Sequence, residues 1–278
     1  MTKSFHFFSR LFIFTLFLSV VFSNTSFPTT NYIQKIKDRG YLIVAMIGHD
    51  APPYEMKNSQ GQAIGIDVSL AKDIAKDLGV ELQILRTATT YDEVVEQVFQ
   101  GKADLGISNL SITLGRAEKV NYSSPYVSLK KTVLLNRANF FRTRQRQDDS
   151  LESFFRNGHK LGVMKGTSYV EFARLQFPQA EIVEYSNEDE LIKALAVRQI
   201  AGIFWDEFEL ERILILYKEG PIRYIAVVMD VSSDKAGIAV PKGDLNFLRW
   251  INTFLQLNRK PLEISDLLKI HLSNLNKK

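Results

Sequence analysis

One helix-plus-strand unit occurs twice in this chain at a constant spacing. Val94, Val95 and Val98 fall on Leu191, Ile192 and Leu195, each 97 positions later, and Leu105, Gly106 and Ile107 fall on Gly202, Ile203 and Phe204. In both copies an amphipathic helix precedes a short apolar run, the pattern of a strand buried on both faces. With the same offset Asn109 falls on Asp206. Two units of like build, each with a polar residue after a buried strand, support an α/β protein of two lobes, a match of pattern rather than of identical residues. Ligands of open α/β sheets bind at such strand ends.

The remaining pattern is consistent with that frame. Asn31 to Arg39 reads as a short helix and Tyr41 to Ile47 as a buried strand, and the prolines at 52 and 53 force a loop. Asp67 is expected to cap a helix running to Leu78, Glu81 to Leu85 is the next strand, and Asp92 to Gln100 is a helix stopped by Gly101. The second unit runs through a strand at Leu161 to Met164, a helix at Ser168 to Gln176 and a strand at Glu181 to Tyr185. A helix at Asn187 to Val197 and a strand from Ile200 to Trp205 complete it. After a short strand and turn at Gly237 to Asp244, helices at Leu245 to Leu257 and Leu262 to Leu272 close the chain. A strand that returns after the second unit implies two crossings between lobes, near Tyr126–Lys130 and Ser232–Gly237, and so a hinge. The expected organisation is lobe one from 31–128 and 236–278, and lobe two from 129–235.

Residues 1–23 read as a targeting segment. Lys3 and Arg10 precede an apolar stretch from Leu11 to Phe22 that is shorter than a membrane span of about 20 residues. A cleaved secretory signal is favoured over a retained N-terminal anchor. The net charge of +4 falls to +2 once Lys3 and Arg10 leave, and four positive charges lie in one stretch at Arg137, Arg142, Arg144 and Arg146. The rest is slightly acidic, which argues against a nucleic-acid surface. The arginine stretch is read as a solvated loop. The chain has no cysteine, which removes disulfides, thiolate nucleophiles and cysteine metal sites. The four histidines show no metal-ligand spacing, and Gly162 to Ser168 lacks the Gly-Lys-Ser/Thr order of a phosphate loop. No metal, cofactor or catalytic group is expected. Asp206 and Glu207, adjacent on what reads as extended chain, are expected to point to opposite faces rather than act as an acid pair.

Gly106 to Arg116 carries the clearest chemistry. Ser111 and Thr113 supply hydroxyl groups, Thr113 can cap a short helix, and Arg116 offers a fork that matches a carboxylate. Two readings stand: a carboxylate pocket at a strand end, or a polar turn with one solvated arginine.

Eight motifs in order resemble the extracytoplasmic solute-binding proteins of polar amino-acid ABC transporters. They are Ala51-Pro-Pro-Tyr-Glu55, Gly65-Ile-Asp-Val-Ser-Leu-Ala71, Gly101-Lys-Ala-Asp104 and Ser111-Ile-Thr-x-x-Arg116, then Val120-Asn-Tyr-Ser-Ser-Pro-Tyr126, Lys165-Gly-Thr167, Asp206 and Gly237-Ile-Ala-Val-x-Lys-Gly-Asp244. The resemblance implies a type II periplasmic-binding fold, an interlobe cleft for an amino acid, and delivery to the membrane subunits of an ABC permease by a monomeric, non-enzymatic receptor outside the cytoplasm. It implies that Arg116 and Ser111 hold the ligand α-carboxylate, that Thr167 closes on it, and that Asp206 and the Asn109 carbonyl take the α-ammonium. Tyr54 and Tyr91 would be aromatic walls, and Tyr169 would reach the ligand side chain. Ala51 stands where some relatives have a stacking aromatic, and Gly48 stands where some have an acid, so the ligand side chain is left open. The alternatives are a cyclohexadienyl or arogenate dehydratase on the same scaffold, and a sensory input module.

Overall fold

The computed structural model describes residues 31–143, 150–156, 158–217, 220–258 and 260–275. The expected signal segment and Arg144 and Arg146 lie outside the described residues. Asn31 caps α1 (Tyr32–Arg39) by accepting from the Gln34 N–H at 3.0 Å, and β1 (Tyr41–Ile47) follows. Leu42, Val44 and Met46 face one core and Ala45 and Ile47 another, the period-2 alternation of a strand covered on both sides. A small hairpin, β2 (Met56–Lys57) and β3 (Ala63–Ile64), leads to α2 (Ile66–Leu78). Asp67 does not cap this helix. Gly65 takes the N-cap at φ 126, where a β-carbon would collide with the Tyr54 carbonyl, and Asp67 is buried in the first turn.

β4 (Glu81–Ala88), α3 (Tyr91–Phe99), β5 (Leu105–Gly106), α4 (Leu114–Ala117) and β6 (Asn121–Tyr122) complete the first run. β5 is shorter than the apolar run Leu105 to Ile107, and just beyond it Ser108 turns its hydroxyl to the Ile47 N–H at 3.1 Å. The second lobe runs through β7 (Val127–Asn136), α5 (Arg137–Thr143), α6 (Leu151–Arg156), β8 (Lys160–Met164), α7 (Ser168–Gln176), β9 (Glu181–Tyr185), α8 (Glu188–Ala196), β10 (Gly202–Asp206), α9 (Glu207–Leu216), α10 (Gly220–Arg223) and β11 (Tyr224–Ala236). The chain ends with β12 (Ala239–Val240), α11 (Leu245–Asn258) and α12 (Ile264–Leu275).

Two five-stranded sheets result. The first has the order β4-β1-β5-β12-β6, parallel through β5 and antiparallel at β12, and the second has the order β11-β7-β10-β8-β9, with β8, β9 and β10 parallel. The 97-residue offset extends to the helix starts. Thr90 caps α3 by accepting from Glu93, and Asn187 caps α8 by accepting from Glu190, the same cap spacing in both copies. Val94, Val95 and Val98 are buried, as are Leu191, Ile192 and Leu195.

β7 and β11 pair antiparallel in two stretches, Asn136–Thr132 with Tyr224–Val228 and Lys130–Val127 with Ser233–Ala236, with a register shift between. The near end of this ribbon touches the first lobe, where Ser111 bridges Ala236. α9 also crosses over: Phe208 joins the first lobe's core, edge-on to Tyr54 at 6.2 Å and to His271 at 5.7 Å. Asp206 and Glu207 are not neighbours on one extended strand. β10 ends at Asp206, and Glu207 opens α9 with its carboxylate on the Lys130 N–H at 2.9 Å.

Candidate functional site

The lobes meet on a cavity of about 420 Å³. From the first lobe it takes the loop after β1 (His49, Ala51) and the start of α3 with its cap (Thr90, Tyr91). From the second it takes the segments after β8 (Lys165 to Thr167) and β9 (Ser186 to Glu188), together with Trp205, Glu209 and Arg212. The loops that line it follow the carboxyl ends of parallel strands, where strand-end loops gather in open sheets. The lobes are closed on each other. Gly166, at φ 72, passes so near Thr90 that an added β-carbon would lie 2.8 Å from the Thr90 γ-methyl.

A neighbouring cavity of about 450 Å³ lies between α3, α4 and α7, bordered by Arg116, Asp92, Thr167, Ser168 and Glu171. Thr167 borders both. Of the eight residues singled out in the sequence, Tyr91 and Thr167 line the first cavity and Arg116 and Thr167 the second. Tyr54, Asn109, Ser111, Tyr169 and Asp206 line neither, and all of them but the half-buried Asn109 are buried.

Arg116 is buried, on the short helix that Thr113 caps as expected by accepting from the Arg116 N–H. Its Nε donates to Asp92 Oδ1 at 2.9 Å and its Nη1 to the Ser111 carbonyl at 3.1 Å. The Nη2 atom is 2.9 Å from the same Asp92 oxygen but makes no hydrogen bond among the described groups. The guanidinium is therefore held on two sides with N–H capacity to spare. Asp92 was not foreseen as its partner.

Ser111 lies between the lobes. It donates to Asp234 of β11 at 2.9 Å and accepts from Ser168, the first residue of α7, at 2.8 Å. Thr167 caps the same helix, accepting from the Tyr169 N–H while its hydroxyl donates to the Met164 carbonyl at 2.8 Å. Burial raises the Asp234 carboxyl above its usual range, opposed by its bond to Ser111, by the nearby Tyr169 hydroxyl and by the charges of Lys131 and Arg116.

Asp206 is buried at the end of β10, and it caps α9 by accepting from the Glu209 N–H at 2.9 Å. No cation is bonded to it among the described residues. Burial, reinforced by the Glu209 charge, holds its carboxyl well above the usual range. Glu209 is also raised by burial, but Arg212 opposes this, with Nε on Glu209 at 2.8 Å and a further bond to Glu188. The Asp206-x-x-Glu209 spacing is a capping signature, the signal that could have found Glu209.

Asn109 adopts φ 43, and its N–H is shared between Asp67 Oδ2 at 2.7 Å and the Tyr126 hydroxyl at 3.0 Å. Tyr54 is packed on Phe208 rather than along the cavity. Tyr169 sits in the second lobe's core, edge-on to Phe204 at 5.1 Å and Phe172 at 5.5 Å. Tyr91 is at the lip, edge-on to His49 at 6.3 Å. Among the described residues no group of His, Asp or Glu is placed to hold a metal ion, and no helix is long and apolar enough to cross a membrane.

Two α/β lobes, joined by a paired double crossing and closed over a polar cavity at their strand ends, define a two-lobe solute-binding protein of type II periplasmic fold. Residues 42–273 match the bacterial extracellular solute-binding proteins, family 3, and the chain belongs to that family. It is similar to the L-cystine-binding protein TcyJ of Escherichia coli (strain K12), 27% identical over 227 residues that cover 82% of this chain and 80% of that protein. It also resembles the histidine-binding periplasmic protein of the same organism, 28% identical over 158 residues, 56% of each chain. Among solved structures, the ancestral amino acid-binding protein AncCDT-1, described as a precursor of cyclohexadienyl dehydratase, superposes with a TM-score of 0.65 at 26% identity, covering 87% of this chain and 98% of that one. The arginine-bound form of truncated ArgBP from T. maritima gives a TM-score of 0.61 at 26% identity over 81% of this chain and 99% of the other.

Proposed function

We propose that the chain is an extracytoplasmic receptor that closes on an amino acid between its lobes and delivers it to the membrane subunits of an ABC permease. The observation that carries this reading is the pairing of unequal charges around the lobe contact. Arg116 keeps guanidinium N–H groups to spare on one side, and Asp206, buried with no bonded cation among the described residues, lies on the other. A zwitterionic head group completes both. Asp206 is buried with no bonded cation among the described residues and Arg116 has only the exposed Asp92 as counter-charge, so an ammonium and a carboxylate separated by one carbon are the groups such a site favours.

Arg116, Ser111 and Thr167 are the proposed carboxylate side, and Asp206 with the Asn109 carbonyl the ammonium side. Tyr91 and the cavity beyond it would receive the ligand side chain, while Tyr54 and Tyr169 support the walls from behind. The lobes are read as 31–128 with 236–278, and 129–235, with β7 and β11 as the hinge. A cleaved signal at 1–23 and a monomeric receptor without catalytic activity fit the same reading. The named relatives are binding proteins, which supports it.

The test is calorimetry with the twenty amino acids on protein refolded after stripping under unfolding conditions. One amino acid should bind with a stoichiometry of one. If none binds and prephenate or arogenate is turned over, the chain is an enzyme on the binding-protein scaffold.

A further inference from the structure

The end of the second sheet opposite the interlobe cavity carries a surface that the head-group site does not use. Gly202, the first residue of β10, pairs with Leu135 of β7, and Asn136 pairs with Tyr224 of β11. β7 is 10 residues long and so places this end about 30 Å from Val127 beside the first lobe. α5 follows β7 here and α10 precedes β11, and the two are tied where Arg137 Nη2 donates to the Pro221 carbonyl at 3.3 Å. Together with the end of α8 they border an open cavity of about 470 Å³.

Arg137, Arg198 and Arg223 line this cavity, and among the described residues no aspartate or glutamate does. Arg137 and Arg198 form no ion pair with a described acid. Arg198 stands just past α8 at φ 65, a conformation that glycine takes without cost, so the turn itself does not call for an arginine. Two large apolar side chains line the same cavity and are left in solvent, Phe141 at 57% and Ile222 at 76% exposure. Three exposed apolar–arginine pairs, Phe141-Arg142, Val197-Arg198 and Ile222-Arg223, thus converge here from three separate elements. One exposed apolar residue needs no explanation. Apolar groups interleaved with guanidinium groups have the make-up of a surface that enters a lipid interface, cations for headgroup phosphates and apolar side chains for the acyl boundary.

We propose that this end of the second lobe is a peripheral docking surface for an anionic phospholipid membrane, with Arg137 and Arg198 on headgroup phosphates and Phe141 and Ile222 inserted between them. Charge complementarity calls for a polyanionic occupant. A small soluble anion would be satisfied by the arginines alone and gives the exposed phenyl and branched side chains no role. A protein interface gathers its apolar groups at the centre and its charges at the rim, whereas here they alternate. The surface shares no residue with the head-group site and holds whatever ligand the cavity takes. Its distance from the first lobe leaves the lobes free to open and close while the protein rests on a membrane.

The chain has no cysteine, so a single introduced thiol reports on one place. Ile222→Cys in the full chain, labelled with an environment-sensitive fluorophore, is mixed with vesicles of phosphatidylcholine alone or of phosphatidylcholine with phosphatidylglycerol. Leu257→Cys, 78% exposed on α11 of the first lobe, carries the same label as the control. The Ile222 label should shift to shorter wavelength with the anionic vesicles only, and the Leu257 label should not shift. Equal shifts at both positions, or a shift on phosphatidylcholine alone, overturn the proposal. Adding Arg137→Gln and Arg198→Gln, both at exposed positions, should raise the lipid needed for half the shift about 25-fold, roughly fivefold for each cation. An unchanged lipid requirement overturns it as well. If inorganic phosphate at matched ionic strength abolishes the shift, the site is a small-anion pocket and not a membrane surface. If poly-glutamate produces the shift and the anionic vesicles do not, the partner is an acidic protein and the membrane proposal fails. No shift with any of them leaves a solvated surface and likewise overturns it.

Discussion

The Ser168 hydroxyl donates to the Ser111 hydroxyl at 2.8 Å, and Ser111 gives its own proton to Asp234 at 2.9 Å. A hydroxyl has one proton to give. Ser111 therefore serves as a clasp between the second lobe, the first lobe and the hinge strand, and it can donate to a ligand carboxylate only by turning its hydroxyl away from Asp234. Removing the clasp at Ser168→Ala should loosen the closed form by about 0.5–1.5 kcal/mol, the net worth of one hydrogen bond. Small-angle scattering of the ligand-free protein would show a larger radius of gyration, and an unchanged radius would mean the clasp does not hold the lobes.

Arg116 and Asp92 should separate cleanly by calorimetry. Arg116→Ala removes a buried charge from the proposed carboxylate side and is expected to weaken binding by about 2–5 kcal/mol. The Asp92 side chain is 63% exposed, so Asp92→Ala should cost about 1 kcal/mol or less. Equal effects would show that Asp92, not a ligand, is what Arg116 is there to hold.

Gly65→Ala should be severe although it touches no ligand. The backbone sits at φ 126 and the new methyl would meet the Tyr54 carbonyl, so α2 could start only by shifting the loop that carries Tyr54 and Glu55. A loss of about 3 kcal/mol or more is expected from strain and displaced packing. Urea denaturation would measure it.

Acid conditions should oppose ligand binding through Asp206. Its folded-state pKa is raised, so on going from the ordinary carboxylate range up through that value the unfolded chain loses this proton first. In the empty protein the group therefore favours the fold at low pH, and that benefit is lost as pH rises. A ligand ammonium reverses the preference by stabilising the charged form. Binding should release a proton, and affinity should fall as pH drops through the raised value. Calorimetry in buffers of different ionisation enthalpy would detect the released proton, and Asp206→Asn should abolish it.

Much of this architecture was legible because apolar period and cap chemistry are local. The strand at Tyr41–Ile47 and the helix at Ser168–Gln176 are found where their side-chain patterns place them. The hinge strands were not read as strands. β7 runs through Ser128, Lys130 and Lys131, and β11 through Asp234 and Lys235, so a ribbon with a half-covered surface shows no clean alternation. In the site, residue type was legible and orientation was not. Tyr54 and Tyr169 have the aromatic character expected of a wall but turn it toward Phe208 and Phe204. Asp234 reaches Ser111 across 123 positions, a separation that no local spacing reveals. Asp67 was misread because a cap and a first-turn acid differ by only two positions from Gly65.

The placement of β12 has a consequence for how the chain matures. This two-residue strand lies between β5 and β6 in the first sheet, yet it is contributed by residues that follow the whole second sheet in the chain. The second sheet is drawn from one unbroken stretch, Val127 to Ala236, and can assemble from its own contacts. The first cannot close until Ala239 arrives, and that contact spans well over a hundred residues, a separation whose loop-closure entropy slows formation. The later lobe in sequence is then the earlier one to become protected in a pulse-labelled hydrogen-exchange experiment, and the first lobe's β5 and β6 amides should gain protection together with those of β12.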